Sequence, residues 1–144
     1  MGTEENKVVV RRQFEYLNEG NTAGAASLWA LGALNHGRKV DPVGLSKLYE
    51  SLNQLHERHV LHEMIAEGDW VAIRTTCSGV HAASPRIPVN SGIFNNVNPT
   101  GRAYQVQHMH MFKVVEGQIT EHWANRDDLG AATQVGFALS PSSS

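Results

Sequence analysis

The alternating run RAYQVQHMHMFKVV, residues 102–115, followed by EGQ and ITEHWAN, constrains the fold more than any other stretch of the chain. Successive strand side chains point to opposite faces, so a run of this kind reads as a strand, and Gly117 in the short polar break reads as the tip of a hairpin. The register of that hairpin decides which ionisable groups meet, because a slip of one residue moves every side chain to the other face. A three-residue loop from Val115 to Gly117, with Gly117 left-handed, pairs Val114 with Gln118, Phe112 with Thr120 and His110 with His122. A two-residue loop at Glu116 and Gly117 pairs His110 with Trp123 instead. On the three-residue reading, Tyr104, Val106, His108, His110 and Phe112 share one face with Thr120, His122 and Ala124. That face mixes aromatic, aliphatic and imidazole groups, as an apolar pocket with a few polar groups should. Met109, Met111 and Trp123 fall on the other face, which suits solvent or a partner subunit.

Upstream the periodicity is helical. Residues 4–18 set Val9, Val10, Phe14 and Leu17 behind two acids and end at Asn18 and Gly20, which predicts a first helix. Asn21 is placed to cap a second helix, Ala-rich, from Thr22 to about Leu31, with Ala26, Leu28, Trp29 and Leu31 on its apolar side. A third helix from about Pro42 carries the stripe Val43, Leu45, Leu48, Tyr49, Leu52 and Leu55. RHVLHEMIA, EGD and WVAIRTTCSGVH then read as a first hairpin. The segment 82–98 between the hairpins is loop-forming, with Ile93 and Phe94 as apolar tips, and such loops are often lids. DDLGAATQVGF closes the chain with a short helix or turn, and the low-complexity tail, about 140–144, is expected to fray.

Three helices followed by an antiparallel sheet predict an α+β fold in one domain, residues 1–144: a cone-shaped α+β barrel whose N-terminal helices pack on a curved, mainly antiparallel sheet and enclose a pocket. With 41% apolar residues, 18% charged residues and a formal charge of -2, neither a nucleic acid nor a membrane is the expected partner. Cys77 is the only cysteine, so no intrachain disulfide is expected and a reducing cytoplasm fits; a lone thiol in a Thr-rich strand is expected to be a small core residue. The N-terminus has no apolar signal core, and no run approaches the ~20 apolar residues of a membrane span.

NKVVVRRQFEYLNEGN, LNHG at 34–37, DPVGLSKLYESL, AEGDWVAIRTTCSGVH, PTGR at 99–102, HMHMFKVVEGQITEHW and DDLGAATQVG together, in this order, resemble the SnoaL-like polyketide cyclases of the nuclear transport factor two-like superfamily. The resemblance implies a cone-shaped barrel, often a homodimer through the outer sheet face, with a deep pocket and neither metal nor organic cofactor. It also implies ring closure by intramolecular aldol chemistry, with a pocket aspartate as general acid/base and a histidine on the neighbouring strand. At the matching positions that histidine is His110, His122 precedes the Trp position, and Asp127 is the second acid; the aspartate's own place, directly after Trp123, holds Ala124. A base must lie within reach of the proton it removes. Three substitutes are therefore open: His110 or His108, near neutrality when unperturbed; Asp127 reaching in from the strand end; or a pocket that works by folding its substrate. The segment 82–98 is longer than the family's usual connection and could set substrate choice.

The expected catalytic residues are His110, His122 and Asp127, and the expected substrate contacts are Tyr16, His36, Tyr104, His108, Phe112 and Phe94. Tyr16 and Tyr104 are candidates to orient a carbonyl oxygen through a phenol hydrogen bond. Asp127 and Asp128 could equally cap the closing helix, and Arg126 reads as a surface ion-pair partner. Trp70 and Trp123 read as core or subunit-interface aromatics. His108, His110 and His122 have the composition of a three-histidine zinc site, but no metal is expected, since the resemblance implies a metal-free pocket and metal histidines usually have a carboxylate behind them. His56, His59 and His62 straddle a helix end and a strand start and read as surface residues. The expected function is a metal-free cyclase of polyketide-type biosynthesis. The alternatives are an isomerase, hydratase, dehydratase or epoxide hydrolase on the same fold, or a non-catalytic binding or dimerisation module.

Overall fold

The computed structural model describes residues 2–142. Helix α1, Thr3–Asn18, begins with Glu4 and Glu5 in its first turn, and the Gly2 N–H donates to Glu5 Oε2 at 3.1 Å. It buries Val10 and Phe14. Asn21 caps α2, Thr22–Ser27, by accepting from the Gly24 N–H at 2.8 Å. This helix is shorter than its composition predicts: Trp29–Asn35 is strand β1. The chain leaves the helix because the Leu28 carbonyl takes the Ile119 N–H at 2.8 Å and Trp29 buries beside Ile119, while Gly32 adopts a left-handed φ of 76° that no helix continues. Pairing and burial override a weak helical preference there, and Leu31 is left outside.

A two-residue strand β2, Arg38–Lys39, folds back on β1. Helix α3, Pro42–Gln54, starts with Asp41 accepting from the Gly44 N–H at 2.7 Å and Pro42 in its first turn. Its buried edge is Leu45 and Tyr49 with half-buried Leu48 and Leu52, whereas Val43 faces outward. Strands β3, Arg58–Glu67, and β4, Trp70–Val80, form the first hairpin, and β5, Ala103–Val115, and β6, Gln118–Arg126, the second, with α4, Asp128–Gln134, after it.

The six strands order as β2-β1-β6-β5-β4-β3, with β1 parallel to β6 and every other pair antiparallel. The sheet is curved and its edge strands β2 and β3 do not pair, so the barrel is open along one side, with the helices over the concave face. The fold class matches the expected α+β architecture. No helix among the described residues is long and apolar enough to cross a membrane. The expected fraying of the tail falls partly on residues 143 and 144, outside the described range; residues 138–142 carry no helix or strand.

The β5–β6 hairpin combines features of both sequence readings. Its turn is the two-residue one, with Glu116 and Gly117 at φ 50° and 77°, pairing Val115 with Gln118 and Val114 with Ile119. A bulge at Thr120 then shifts the register, so that Phe112 faces His122, His110 faces Ala124 and His108 faces Arg126. The extra residue restores the face expected for His122 and Ala124, but Ile119, not Thr120, is the buried residue at the base.

Two clusters fill the interior. One lies between α1 to α3 and the sheet; the other gathers Leu55, Cys77, Val89, Phe94, Tyr104, Val106, Ala131 and Val135. Phe94 is fully buried and stacks on His81 with ring centres 4.6 Å apart, so this expected lid tip plugs the second cluster instead. Gly79 lets Tyr104 lie against β4: a Cβ there would collide with the Tyr104 ring and sit 3.0 Å from the Leu55 carbonyl oxygen. Gly79→Ala is expected to cost about 1–3 kcal/mol in urea denaturation, and much of that cost should vanish in a Tyr104→Ala background.

Candidate functional site

A cavity of about 620 Å³ opens between the helices and the concave sheet face. Its apolar walls include Phe14, Leu17, Trp29, Leu48, Leu52 and Phe112. Polar groups cross it in a nearly continuous row from Asn90 to Asn35.

The row begins at Glu57, between α3 and β3. A left-handed His56, φ 53°, ends the helix, and the Glu57 N–H returns to the Leu52 carbonyl at 3.3 Å, turning the carboxyl inward. The Tyr104 hydroxyl donates to Glu57 Oε2 at 2.6 Å and Asn90 Nδ2 donates to the same oxygen at 2.7 Å. Burial nevertheless pushes the carboxyl pKa up, against the downward pull of these donors. A Glu57 oxygen, a His59 nitrogen and Cys77 Sγ lie within 4.8 Å of one another. Burial also raises the Cys77 thiol, which keeps it an inert core residue.

His59 was expected on the surface with His56 and His62. Those two are exposed, but α3 ends at Gln54, so strand alternation rather than helical spacing governs position 59 and turns its ring inward. Asn18 at the end of α1 clamps its backbone, donating to the His59 carbonyl at 2.8 Å and accepting its N–H at 2.7 Å. Nδ1 lies 3.0 Å from Thr75 Oγ1.

Three more rings follow in series. His108 Nδ1 is 3.3 Å from His110 Nε2, His110 Nδ1 is 2.9 Å from His122 Nε2, and His122 Nδ1 is 2.8 Å from Asn35 Oδ1. The parallel pairing that places Asn35 beside His122 closes the series at the β1 edge. His110 and His122 are thus diagonal neighbours rather than direct partners. Burial is the largest cause of a depressed pKa in every ring, with about 3 for His59 and His122, about 4 for His108, and a value well below 6.5 for His110. All four are neutral at pH 7, and the nearness of the rings to one another works in the same direction.

The expected site is redrawn in part. His108, His110, His122, His36 and Phe112 line the cavity; His36, in the β1–β2 turn, packs edge-on against His122 and Trp123. Asp127 does not line it: its side chain caps α4, accepting from the Gly130 N–H at 2.8 Å. Arg126, expected on the surface, does line it and pairs with Asp128, whose Oδ2 also accepts the Ser91 hydroxyl at 2.7 Å. Tyr16 lies outside the cavity lining, its hydroxyl accepting from Arg12 at 3.0 Å, because its helical position turns it away from Phe14. Tyr104 sits behind Glu57 and Phe94 in the second cluster, outside the lining. Residues 88–91 of the long loop do line the cavity. Glu57, His59, Asn35 and Asn90 are the functional candidates that sequence reasoning missed, and only strand alternation at His59 offered a signal for any of them.

His59, His108 and His110 each bring one nitrogen within 4.8 Å of the others. This trio differs from the expected His108, His110 and His122. His110 has both nitrogens in hydrogen bonds, so an ion would have to displace one of them. The arrangement favours proton chemistry: one carboxyl biased to hold its proton and several imidazoles biased to lack one, around an apolar space.

A sequence model described as SnoaL-like polyketide cyclase matches residues 7–135. Among curated proteins, none matches the chain significantly. Among solved structures, AclR of Streptomyces galilaeus, a candidate hydroxylase, superposes with a TM-score of 0.77 at 20% identity, over 99% of this chain and 91% of its own. IdmH of Streptomyces antibioticus, a candidate polyketide cyclase, gives 0.72 at 23% identity, over 92% and 99%. TsrD of Streptomyces laurentii gives 0.74 at 18% identity, over 94% and 98%. At these identities the structures establish the shared fold.

Four rings that line the cavity, His59, His108, His110 and His122, tie stability to pH. Their folded pKa values lie below the unfolded value of 6.5, so the stability they carry is complete above pH 6.5 and is lost as the pH falls toward about 4 to 3. At pH 5, His59 and His122 should each cost about 2 kcal/mol. Glu57, raised from 4.5, acts in the opposite sense, losing stability as the pH rises, but is one group against four. Urea denaturation is expected to show a steep loss of stability between pH 7 and pH 5.

Proposed function

The chain belongs to the SnoaL-like polyketide cyclase family, and from that premise we propose that it closes a ring in an apolar, oxygenated, polyketide-type intermediate by acid–base chemistry in this cavity. The observation that carries the reading is the coexistence, at one apolar surface, of a carboxyl held toward its protonated form and imidazoles held neutral. The row then supplies both an acid and a base without a second carboxylate at position 124.

In the proposed step His108 removes a proton from a carbon next to a carbonyl. The resulting enolate forms the new carbon–carbon bond to an acceptor carbonyl, and Glu57 protonates the oxygen that becomes negative. The apolar walls fold the chain so that its ends meet, which lowers the barrier through orientation. Asp127 has no part in this scheme, and His110 and His122 act behind His108. His36 and Phe112 remain substrate contacts in the proposal. His108→Ala and Glu57→Gln are each expected to lower kcat for cyclisation of linear oxygenated polyketides by roughly 10²- to 10⁴-fold with unchanged circular dichroism. Turnover at the parent rate in both variants would leave substrate folding as the sole source of catalysis.

We also propose a homodimer through the outer sheet face. Ile65, Met111 and Trp123 are exposed there in one cross-strand row joined through Ala72 of β4, with Val60 and Met109 exposed on the same face, and solvent contact with that apolar surface is unfavourable. Sedimentation is expected to show a dimer, and Met109→Lys with Met111→Lys a monomer.

A further inference from the structure

We propose that Asn35 is a positioning residue that fixes the tautomers of His122, His110 and His108 in turn and thereby leaves the Nε2 lone pair of His108 bare as the proton acceptor of the cavity. The inference rests on the acid–base reading of the cavity above, and it follows from the donor and acceptor inventory of the row.

A carboxamide oxygen can only accept, so the 2.8 Å contact between Asn35 Oδ1 and His122 Nδ1 requires a proton on that nitrogen. A neutral imidazole carries one N–H, so His122 Nε2 holds a lone pair. The 2.9 Å contact from His110 Nδ1 must then be a donation to it. By the same step His110 Nε2 holds a lone pair, and His108 Nδ1, 3.3 Å away, donates to that. His108 Nε2 is left without a proton, and among the described residues it takes no hydrogen bond. Each assignment is forced by the one before it, provided every ring is neutral, the state that burial favours in all three. His59 stands outside the series, because its Nδ1 partner is the Thr75 hydroxyl, which can donate or accept.

The order gives His108 two properties that an isolated histidine lacks. Its basic atom is Nε2 in every molecule rather than in a fraction of them. When Nε2 takes a proton, the Nδ1–H of the new imidazolium already points at an acceptor. That acceptor belongs to a chain of bonds whose dipoles all run toward the Asn35 oxygen, and such a chain strengthens each member. With the amide turned the other way, Asn35 Nδ2 would donate to His122 and every ring would become the Nε2–H tautomer. His108 would then present a donor to the cavity and no base.

The tautomers can be read on the resting protein with no substrate, by long-range proton–nitrogen correlation spectra of ¹⁵N-histidine-labelled protein at pH 7.5. The Nδ1–H form is expected at His108, His110 and His122 together. In Asn35→Leu the three rings are expected to lose this uniform assignment, with kcat falling roughly 10²- to 10⁴-fold and KM little changed. The parent spectrum by itself serves as the test where the leucine variant does not fold. Any Nε2–H tautomer among the three rings of the parent protein, or an unchanged pattern in Asn35→Leu, overturns the proposal. Because the spectra need no substrate, failure of the cyclase reading would appear separately, as Nδ1–H rings in a protein that turns over no polyketide.

Discussion

The bulge at Thr120 governs what the concave face of the sheet can do. The tight turn at Glu116 and Gly117 would, continued in regular register, send Glu121 and Trp123 toward the cavity and His122 toward solvent. One unpaired residue reverses that, bringing His122 within 2.9 Å of His110 and leaving Trp123 on the outer face, where its indole donates to Glu121 Oε2 at 2.6 Å. The parallel register with β1 has its own irregularity, in β1 between Trp29, which pairs with Ile119, and Leu34, which pairs with Glu121, and this brings Asn35 beside His122. The inward His122 and the outward Trp123 both depend on the one unpaired residue of β6.

Electrostatic balance in the cavity comes from protonation state rather than from ion pairs. Charging a buried group without a partner is expensive, and the cheaper course is a shift of pKa toward neutrality. Glu57 and the four rings all shift in that direction. The cation near them, Arg126, is held at the rim by Asp128, and its positive charge further disfavours protonation of His36, His108, His110 and His122. Neutrality suits a cavity for an apolar guest, and it leaves lone pairs on imidazoles that would otherwise be partly blocked near neutral pH.

Much of the scaffold was legible because periodicity reports burial directly. The stripe of α3, the first hairpin and the alternation through His108, His110 and Phe112 are each read from spacing alone. Three of the failures share one cause, a partner distant in sequence. Trp29 leaves the helical pattern for Ile119, Phe94 turns inward to His81, and Tyr104 is drawn behind the cavity by Glu57. Asp127 carried two local meanings, acid or cap, and only the 2.8 Å contact with the Gly130 N–H separates them. Glu57 had no local signal at all, since an acid after a helix end is ordinarily solvated.

Ala124 and Glu57 belong to one argument about where an acid can sit. Position 124 faces His110 across the β5–β6 ladder, so a carboxylate there would stand against the histidine row and, as an anion, would raise the pKa of the nearest ring. That ring would become a donor pair and could no longer accept from His108. With alanine in that place the row stays neutral. The carboxyl is instead at the other end, beyond His59, held by Tyr104 and Asn90 from the second cluster and the long loop. Acid and base are thereby separated along the row, each in the protonation state that burial prefers. The longer loop also has a physical role at this point, because it supplies Asn90, one of the two side chains that hold Glu57 in place.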